Sequence, residues 1–341
     1  MFAKFSGIVK TVRRGQHFHL YVTIVFVVVL FYILIGPRFL SPMNLASMAY
    51  QLPLIGFLAI GMMISELSGG INLSIVANAN FNGIIIAITL RALTGGKMID
   101  AGVPLVLIAC LVGLAVTVAI GAFNGVLIAK LNIPAILVTL GTMTLLNGMS
   151  IVITRGYTIS GFPGMLITPG NGNLAGIPVS VLVFFGVIIA THFVLNRSSF
   201  GQKLYMTGAN QKACRFSNVN VPRVIIIEYI LSACFAFFTS IIMIGQMNSV
   251  KANYAESYLL VAVLATFLGG VNPMGGFGRL FGVVLAAIIL QLISTGLNLM
   301  RMDPFMITAM WGGIVIIVLF ARDAAKIVTE KIKHKAAGRT L

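Results

Sequence analysis

The residues of this sequence most suited to chemistry are two acidic side chains in apolar surroundings. The chain of 341 residues holds only seven Asp and Glu, and Glu66 and Glu228 are the two that lie in or beside long apolar stretches. A carboxylate at membrane depth costs several kcal/mol, so such a residue usually serves a function. For Glu228 the simpler interpretation is an ion pair with Arg223, about one turn earlier. Glu66 has no cation nearby in sequence, and we expect it beside a polar passage or at the inner headgroups.

Uncharged amides cluster shortly after Glu66. Asn72, Asn78, Asn80 and Asn82 place four amides within eleven residues, more than lipid would tolerate, so some must face protein or water. Asn78 and Asn82 are one turn apart and share a helix face. Further polar residues in or at the ends of apolar stretches are Thr139, Thr142, Asn147, Gln246, Asn248, Gln291 and Asn298.

Hydrogen bonds between helices are the simpler explanation of each of these polar residues. As a set they predict a neutral interior, which suits an uncharged polar solute better than an ion. The residues that we expect along a polar passage are Glu66, Asn72, Asn78, Asn82, Thr139, Thr142, Asn147 and Gln291.

No catalytic motif accompanies these residues. A P-loop needs GxxxxGK followed by Ser or Thr, and the only Gly-Lys pair, Gly96-Lys97, precedes Met98. The four histidines stand in the tails or near a helix end, without the spacing of a metal enzyme, and the three cysteines show no paired spacing. We therefore expect no ATP hydrolysis, no metal and no cofactor in this chain, although an intramembrane enzyme with dispersed catalytic residues stays open.

The composition predicts that these residues lie in a membrane protein rather than in a water-soluble one. Apolar residues make up 59% of the chain and charged residues only 9%, whereas soluble chains are about a quarter charged. A helix needs about 20 apolar residues to cross a bilayer, so the sequence predicts an all-α integral membrane protein with about ten transmembrane helices. The predicted helices cover residues 20–36, 45–65, 70–90, 103–129, 134–153, 177–195, 224–247, 257–272, 280–298 and 305–321.

The basic residues predict how these helices are oriented. With both termini in the cytoplasm, 17 of the 23 Lys and Arg lie on the cytoplasmic side, as the positive-inside rule requires. This gives a cytoplasmic tail over residues 1–19, a transmembrane domain over 20–321 and a basic cytoplasmic tail over 322–341. Membrane orientation therefore explains the net charge of +16 better than nucleic-acid binding does. No cleavage site follows the first apolar run, so we predict an uncleaved first helix.

Two features suggest irregular helices and internal symmetry. The second and third helices meet near residues 65–70 without a proper loop, and Pro53 interrupts the second, so broken or re-entrant helices are expected around a passage at 66–82. Pro134 opens PAILVTLG and Pro304 opens PFMITAMW, and the predicted topology starts these segments on opposite sides. An inverted five-helix repeat would produce this pattern, and such repeats place transport paths at their interface.

Four stretches in order along the chain resemble the ribose-type sugar permeases of ABC importers. The segment after the sixth helix matches their pattern GxxxYxxGxNxxAA at Gly201, Tyr205, Gly208, Asn210 and Ala213. GGINLS at 69–74 is similar to their GGIDLS, IPAILVTLGTM at 133–143 is similar to their IPSFIVTLGTM, and the Gly-rich run at 268–299 is similar to theirs. One such match would be weak, but four in order are specific.

The resemblance implies a type II-like ABC permease that works in a larger assembly. Two permeases, either two copies of this chain or a copy and a relative, would pair above cytoplasmic ABC ATPase subunits, and a periplasmic or lipid-anchored binding protein would deliver the solute. Residues 208–217 would then be the coupling segment that inserts into the ATPase, with Gly201, Tyr205, Gly208, Asn210, Lys212 and Ala213 in or next to it. ATP binding and hydrolysis in the partner would open the passage alternately to each side.

The sequence also departs from this family at one motif. Asn72 stands where the GGIDLS pattern has Asp, and IVANANFN follows in place of small residues, so the solute stays open between a simple sugar, a nucleoside and a branched-chain amino acid. The alternative from another class is a secondary transporter driven by an ion gradient through Glu66 or Glu228.

Overall fold

The structure, a computed structural model, describes residues 18–318 and residue 320. Its helices in chain order are α1 Phe18–Ile35, α2 Pro42–Glu66, α3 Ile75–Leu93, α4 Val103–Lys130, α5 Ala135–Thr154, α6 Gly164–Asn171, α7 Val179–Arg197, α8 Ser199–Ala209, α9 Gln211–Phe216, α10 Val221–Met247, α11 Tyr258–Leu268, α12 Leu280–Leu299 and α13 Pro304–Val318. Within the described residues, eight helices are long and apolar enough to cross a membrane, namely α1 to α5, α7, α10 and α12. The predicted all-α membrane fold is confirmed.

Short strands and 3-10 turns connect the helices. Strand β1, Ile159–Ser160, pairs antiparallel with β4, Ser249–Val250, and β2, Asn173–Leu174, pairs antiparallel with β3, Ile177–Pro178. The 3-10 turns cover Pro37–Leu40 and Met98–Asp100. The β1–β4 pair joins the loop after α5 to the loop after α10.

Ten apolar helices follow the predicted order, but one of them, α11, falls short of a full span. Helix α11 has 11 residues, which at 1.5 Å per residue covers about 17 Å of a hydrocarbon core about 30 Å thick. The prediction of a helix over 257–272 was wrong at its end, because the chain turns at Gly269 and Gly270 with a positive φ at Gly270. Helix α13 is described over 15 residues, Pro304–Val318.

The segment between α2 and α3 also differs from the prediction. Helix α2 runs unbroken through Pro53, so the expected interruption there was wrong. The irregular backbone lies later, in a turn over residues 67–74, and α3 begins at Ile75 rather than near residue 70. Gly69 takes a φ of +91°, which ends the helical path. This turn is largely buried, so protein rather than lipid surrounds its backbone, as membrane depth requires.

Helices α2, α3 and α12 form the centre of the bundle. In each of them 72% of the apolar span is buried, against 17–28% in α1, α4, α5 and α7. Helix α10 packs against α2, α3 and α4, and the inward stripe of α4 includes Gly121 and Gly125. Small residues allow two helix backbones to approach closely in a membrane. The exposed apolar faces of the outer helices are those expected of surfaces in contact with lipid.

The predicted repeat and tails are outside what the structure tests. Pro134 immediately precedes α5, and Pro304 begins α13, as predicted, but the inverted relation of the two halves stays a prediction. The predicted cytoplasmic tail over 322–341 lies outside the described residues, and that over 1–19 overlaps them only at Phe18 and His19, which begin α1.

We predict that Gly121→Ala lowers the midpoint of thermal unfolding in detergent. A Cβ at this position would lie 2.6 Å from the carbonyl oxygen of Tyr229 and 2.6 Å from the Cβ of Ala233, so α4 and α10 would have to separate. Such overpacking costs about 1–3 kcal/mol. Gly148→Ala on α5, where an added Cβ meets nothing within 4 Å, is the matched control. Equal midpoints for the two variants would contradict the close α4–α10 contact.

Candidate functional site

Three of the four motif stretches meet at one end of the bundle. The carbonyl of Leu67 accepts a hydrogen bond of 2.9 Å from the amide of Gly276, and a Cβ added to Gly208 would lie 1.8 Å from that same carbonyl oxygen. A Cβ on Gly275 would lie 2.7 Å from the amide nitrogen of Gly69. We call this contact of Gly69, Gly208, Gly275 and Gly276 the glycine junction. It joins the turn 67–74, the end of α8 and the loop after α11 backbone to backbone.

The α8–α9 segment, Ser199–Phe216, is built by the motif residues themselves. An added Cβ on Gly201 would lie 2.0 Å from the carbonyl oxygen of Leu195, so glycine permits the sharp passage from α7 into α8. The hydroxyl of Tyr205 donates to the carbonyl of Gly278 over 2.9 Å. Asn210 caps α9 by accepting a 3.0 Å hydrogen bond from the amide of Ala213. The end of the motif therefore begins the short helix α9.

Burial and charge act in opposite directions on Tyr205. Desolvation raises the pKa of its phenol above the ordinary value, and the positive charge of Arg279 lowers it by a smaller amount. The net increase keeps the phenol protonated at neutral pH. Tyr205 therefore remains the hydrogen-bond donor that ties α8 to the Gly-rich loop.

The outer surface of the α8–α9 segment carries residues outside the motif in addition to the exposed motif residues Asn210 and Ala213. Lys212 is exposed, as are Arg215 and Phe216, and the side chain of Phe216 is 93% exposed. The sequence reading did not select Phe216 as a site residue. The available signal was a large apolar residue within a polar, basic segment between two apolar helices.

A chain of buried hydrogen bonds crosses the bundle next to the glycine junction. In order of donation its members are Thr142, Asn124, Ser74, Asn72, Ser232 and the carbonyl of Gly61. Its five bonds measure 2.6–2.9 Å, and the five side chains are at most 5% exposed. We call this chain the polar relay. It links α5, α4, the turn 67–74, α10 and α2.

The turn is held to α5 by a second contact. Thr139 donates to the carbonyl of Ile71 over 2.9 Å, and an equally short bond to Ala135 in its own helix is open to it. Thr139, Thr142 and Asn72 were predicted from sequence as passage residues, and the structure brings them together around the turn. Asn124 and Ser232 were missed, because a single polar residue in an apolar helix gives no sign of its distant partner.

A second group of polar side chains lies on α3, α4 and α5, which pack against one another. Asn82 is fully buried, and neither its amide nitrogen nor its oxygen has a hydrogen-bond partner among the described residues. The same holds for the side-chain oxygens of Asn78 and Asn147. Thr117 and Ser150, which the sequence reading did not select, also bury hydroxyl groups without a partner there. Asn80 donates to the carbonyl of Ala252 over 2.9 Å, although its side-chain oxygen likewise has no partner among the described residues.

The two acids lie beside the turn. Glu66 is the last residue of α2, is fully buried, and accepts a 3.0 Å hydrogen bond from Thr266. Glu228 on α10 is fully buried beside Ser68, although none of its contacts among the described residues meets hydrogen-bond geometry. Arg223 is exposed on the first turn of α10. The predicted ion pair of Glu228 with Arg223 was therefore wrong, because the two side chains face different environments.

Gln291 lies apart from the other predicted passage residues. Its amide donates to Gln51 over 3.2 Å and to Thr295 over 3.1 Å, which connects α12 to α2. The eight predicted passage residues thus fall into separate groups rather than one site. Among residues 18–318 and 320, no group of three His, Cys, Asp or Glu side chains is placed to hold a metal ion.

Comparison with known proteins assigns this arrangement to a family. A family profile described as a branched-chain amino acid transport system permease component matches residues 44–321, which includes every motif stretch and most of the apolar helices. The chain belongs to this permease family. The ribose import permease of Bacillus subtilis is 32% identical over 325 residues, covering 94% of this chain and 95% of its own. The resemblance to ribose-type permeases of ABC importers is confirmed.

Other relatives of the permease differ in their named solutes. The galactose/methyl galactoside import permease of Salmonella typhimurium is 30% identical over 86% of this chain and 90% of its own. An autoinducer 2 import system permease of Yersinia enterocolitica is 27% identical over 79% of this chain and 80% of its own. No solved structure matches the chain.

We predict that Gly208→Ala destabilises the α8–α9 segment while the permease still inserts into the membrane. The added methyl group would meet two backbone atoms, the oxygen of Leu67 and the nitrogen of Gly276, neither of which can move aside as a flexible side chain can. Limited proteolysis of the purified variant should cut within residues 199–216 faster than in the wild type. Gly186→Ala on α7, with nothing within 4 Å of the added Cβ, should digest like the wild type. Unchanged protection in Gly208→Ala would contradict the glycine junction.

Proposed function

We propose that this permease forms the transmembrane passage for a neutral polar solute, most simply a simple sugar, in a binding-protein-dependent ABC importer. It would lie in the bacterial inner membrane with both termini cytoplasmic. Its partners would be two cytoplasmic ATPase subunits, a second permease and a periplasmic or lipid-anchored binding protein. The observation that carries the proposal is the buried, uncharged polar group on α3, α4 and α5, in a chain whose family consists of transport permeases.

The chemistry of that polar group supports a sugar-like solute. Amides and hydroxyls offer both donors and acceptors to the hydroxyl groups of a sugar, and they do not attract an ion by charge. Asn78, Asn82 and Asn147 carry amide groups with hydrogen-bonding capacity unused by the described residues. Unmade hydrogen bonds in a buried site are costly, so a polar solute that bonds to these groups in passing would offset that cost. The relatives named for ribose and galactose import agree with this solute class.

The α8–α9 segment is the surface we assign to the ATPase partner. It follows α7 on the side where the predicted topology places the tails, and its exposed face combines basic Lys212 and Arg215 with the exposed ring of Phe216. An exposed aromatic anchor surrounded by charged groups is typical of an interface hot spot. Gly208 and Tyr205 face inward instead, and they hold the segment against the membrane helices.

A secondary transporter is the alternative from another class. It would need an acid in contact with both the ion and the solute path, and Glu66 and Glu228 are the acids buried within the membrane helices. Both lie beside the turn 67–74, which favours a role in the turn rather than in ion movement. Uptake that collapses with an uncoupler while ATP is held constant would support this alternative. A further alternative keeps the importer role and changes only the solute, to a nucleoside or a branched-chain amino acid.

We expect the permease, purified in mild detergent from its native membranes, to carry a stoichiometric ATPase identified by mass spectrometry. Phe216→Ala should reduce the amount of co-purified ATPase several-fold, because it removes the apolar anchor. Phe305→Ala is the control, since Phe305 is also highly exposed, at 85%, but begins α13 on the opposite side of the predicted topology. Reproducible absence of an ATPase from the intact wild-type permease would overturn the proposal. Equal recovery in both variants would reject only the role of Phe216.

We expect Asn82→Leu to lower the uptake of the transported solute about tenfold. This is the equivalent of losing one hydrogen bond of about 1.4 kcal/mol between the passage and the solute. Leucine has the branched heavy-atom skeleton of asparagine, with two methyl groups in place of the amide oxygen and nitrogen, and no hydrogen-bonding group. Uptake would be measured in proteoliposomes that contain the whole transporter, with ATPase recovery as a check on assembly. Asn80→Leu is a comparison on the same helix: it removes the bond to Ala252 and an unpaired side-chain oxygen, so a loss equal to that of Asn82→Leu would indicate general damage to α3. If Asn82→Leu transports like the wild type, Asn82 has no part in the passage.

A further inference from the structure

The polar relay has a property that its individual hydrogen bonds do not reveal. Each of its inner members accepts one hydrogen bond and donates one, so the donors point in a single direction from Thr142 on α5 to the carbonyl of Gly61 on α2. Hydrogen bonds arranged in this way polarise and strengthen one another in a low-dielectric interior. No member can turn away without leaving a neighbour unpaired in a buried site.

Most other buried hydroxyls on these helices form a contrast with the relay. Thr154 on α5 donates only to the carbonyl of Ser150 in its own helix, and Thr239 on α10 donates to Phe235 in its own helix. Such bonds do not connect a helix to its neighbours. Thr142 instead donates to Asn124 on α4, and Asn124 donates to Ser74 in the turn. The relay therefore fixes α5 to the turn 67–74 through bonds between elements, although a hydroxyl such as that of Thr142 could have bonded to a carbonyl in its own helix.

The turn is in direct backbone contact with the α8–α9 segment. Gly276 donates to Leu67 at one end of the turn, and the glycine junction brings Gly208 against the same carbonyl. No flexible side chain lies between these backbones, so a displacement of Gly208 must be taken up by the turn. The relay members Asn72 and Ser74 lie five and seven residues after Leu67, within the same turn.

We propose that the polar relay is the positioning device that passes movement of the α8–α9 segment to α5 and α4, and so links the ATPase partner to the passage. The proposal rests on the proposed function, because it assumes that a partner moves the segment. Its members, Thr142, Asn124, Ser74, Asn72 and Ser232, act as positioning residues. Since breaking a buried bond is costlier than a small rigid shift of helices, the turn and the helices move together. A direct measurement of coupling tests a contiguous network of this kind.

The experiment measures solute taken up per ATP hydrolysed by the whole transporter in proteoliposomes. Thr142→Val keeps the shape of the side chain and removes the hydroxyl that donates to Asn124, whereas Thr142→Ser keeps the hydroxyl. Thr154→Val is the matched control, because it removes a buried hydroxyl from the same helix without touching the relay. We expect uptake per ATP to fall about tenfold in Thr142→Val, with ATP hydrolysis in the absence of solute unchanged. Thr142→Ser and Thr154→Val should retain the wild-type ratio.

A double variant tests whether the relay acts as one unit. Ser232 lies at the far end of the relay and does not touch Thr142, so independent effects of Thr142→Val and Ser232→Ala would multiply to about a hundredfold loss. If both interrupt the same relay, the double variant should lose about as much as either single variant, roughly tenfold. Ser74→Ala interrupts the relay at its centre without added bulk, and it provides an independent check should Thr142→Val fail to assemble.

The possible outcomes separate this inference from the proposed function. A wild-type ratio of uptake to hydrolysis in Thr142→Val or Ser74→Ala would overturn the relay, provided that the wild-type transporter itself couples ATP to uptake. Multiplicative losses in the double variant would overturn it as well. If the wild-type assembly shows no ATP-dependent uptake at all, the failure belongs to the proposed function.

Discussion

Irregular backbone at the end of a membrane bundle must find its hydrogen bonds inside the protein, and the turn 67–74 is where this permease meets that requirement. The carbonyl of Leu67 is satisfied by Gly276, and the carbonyl of Ile71 is satisfied by Thr139. Both partners come from elements far away in the sequence. Once they are in place, the end of α2, the start of α3, the loop after α11 and the first part of α5 are fixed relative to one another. Helix α8 can approach only because position 208 is glycine.

The same requirement divides the polar residues of the helices into two kinds. Asn72, Thr142 and Gln291 have their hydrogen bonds made by other helices, so they hold the bundle together. Asn82 and Asn78 are equally buried but keep unused hydrogen-bonding capacity among the described residues. In an apolar membrane interior, groups of the first kind contribute to the fold, whereas groups of the second kind are costly unless they serve another purpose. This difference supports a passage along α3, α4 and α5 more directly than polarity alone does.

In the α8–α9 segment, buried residues set the course of the backbone and exposed residues form the outer face. Gly201, Gly208 and Tyr205 set the course of the segment by close approach and by one hydrogen bond, and none of them is exposed. Lys212 and Phe216 form its outer face. The surface that we propose for the ATPase partner therefore includes residues outside the family motif.

The sequence by itself determined the membrane class, the order of ten apolar helices and the family, because these follow from composition, from periodic apolar stretches and from motifs that are local in the chain. It also singled out Asn72 and Asn82 as polar residues in apolar surroundings. It could not tell that the first is bonded and the second is not, because the partner of Asn72, Ser232, lies 160 residues away. For the same reason it paired Glu228 with nearby Arg223, whereas the fold buries Glu228 beside Ser68 and leaves Arg223 exposed. Only the tertiary structure decided which polar groups meet, since helix packing brings together side chains that the sequence keeps far apart.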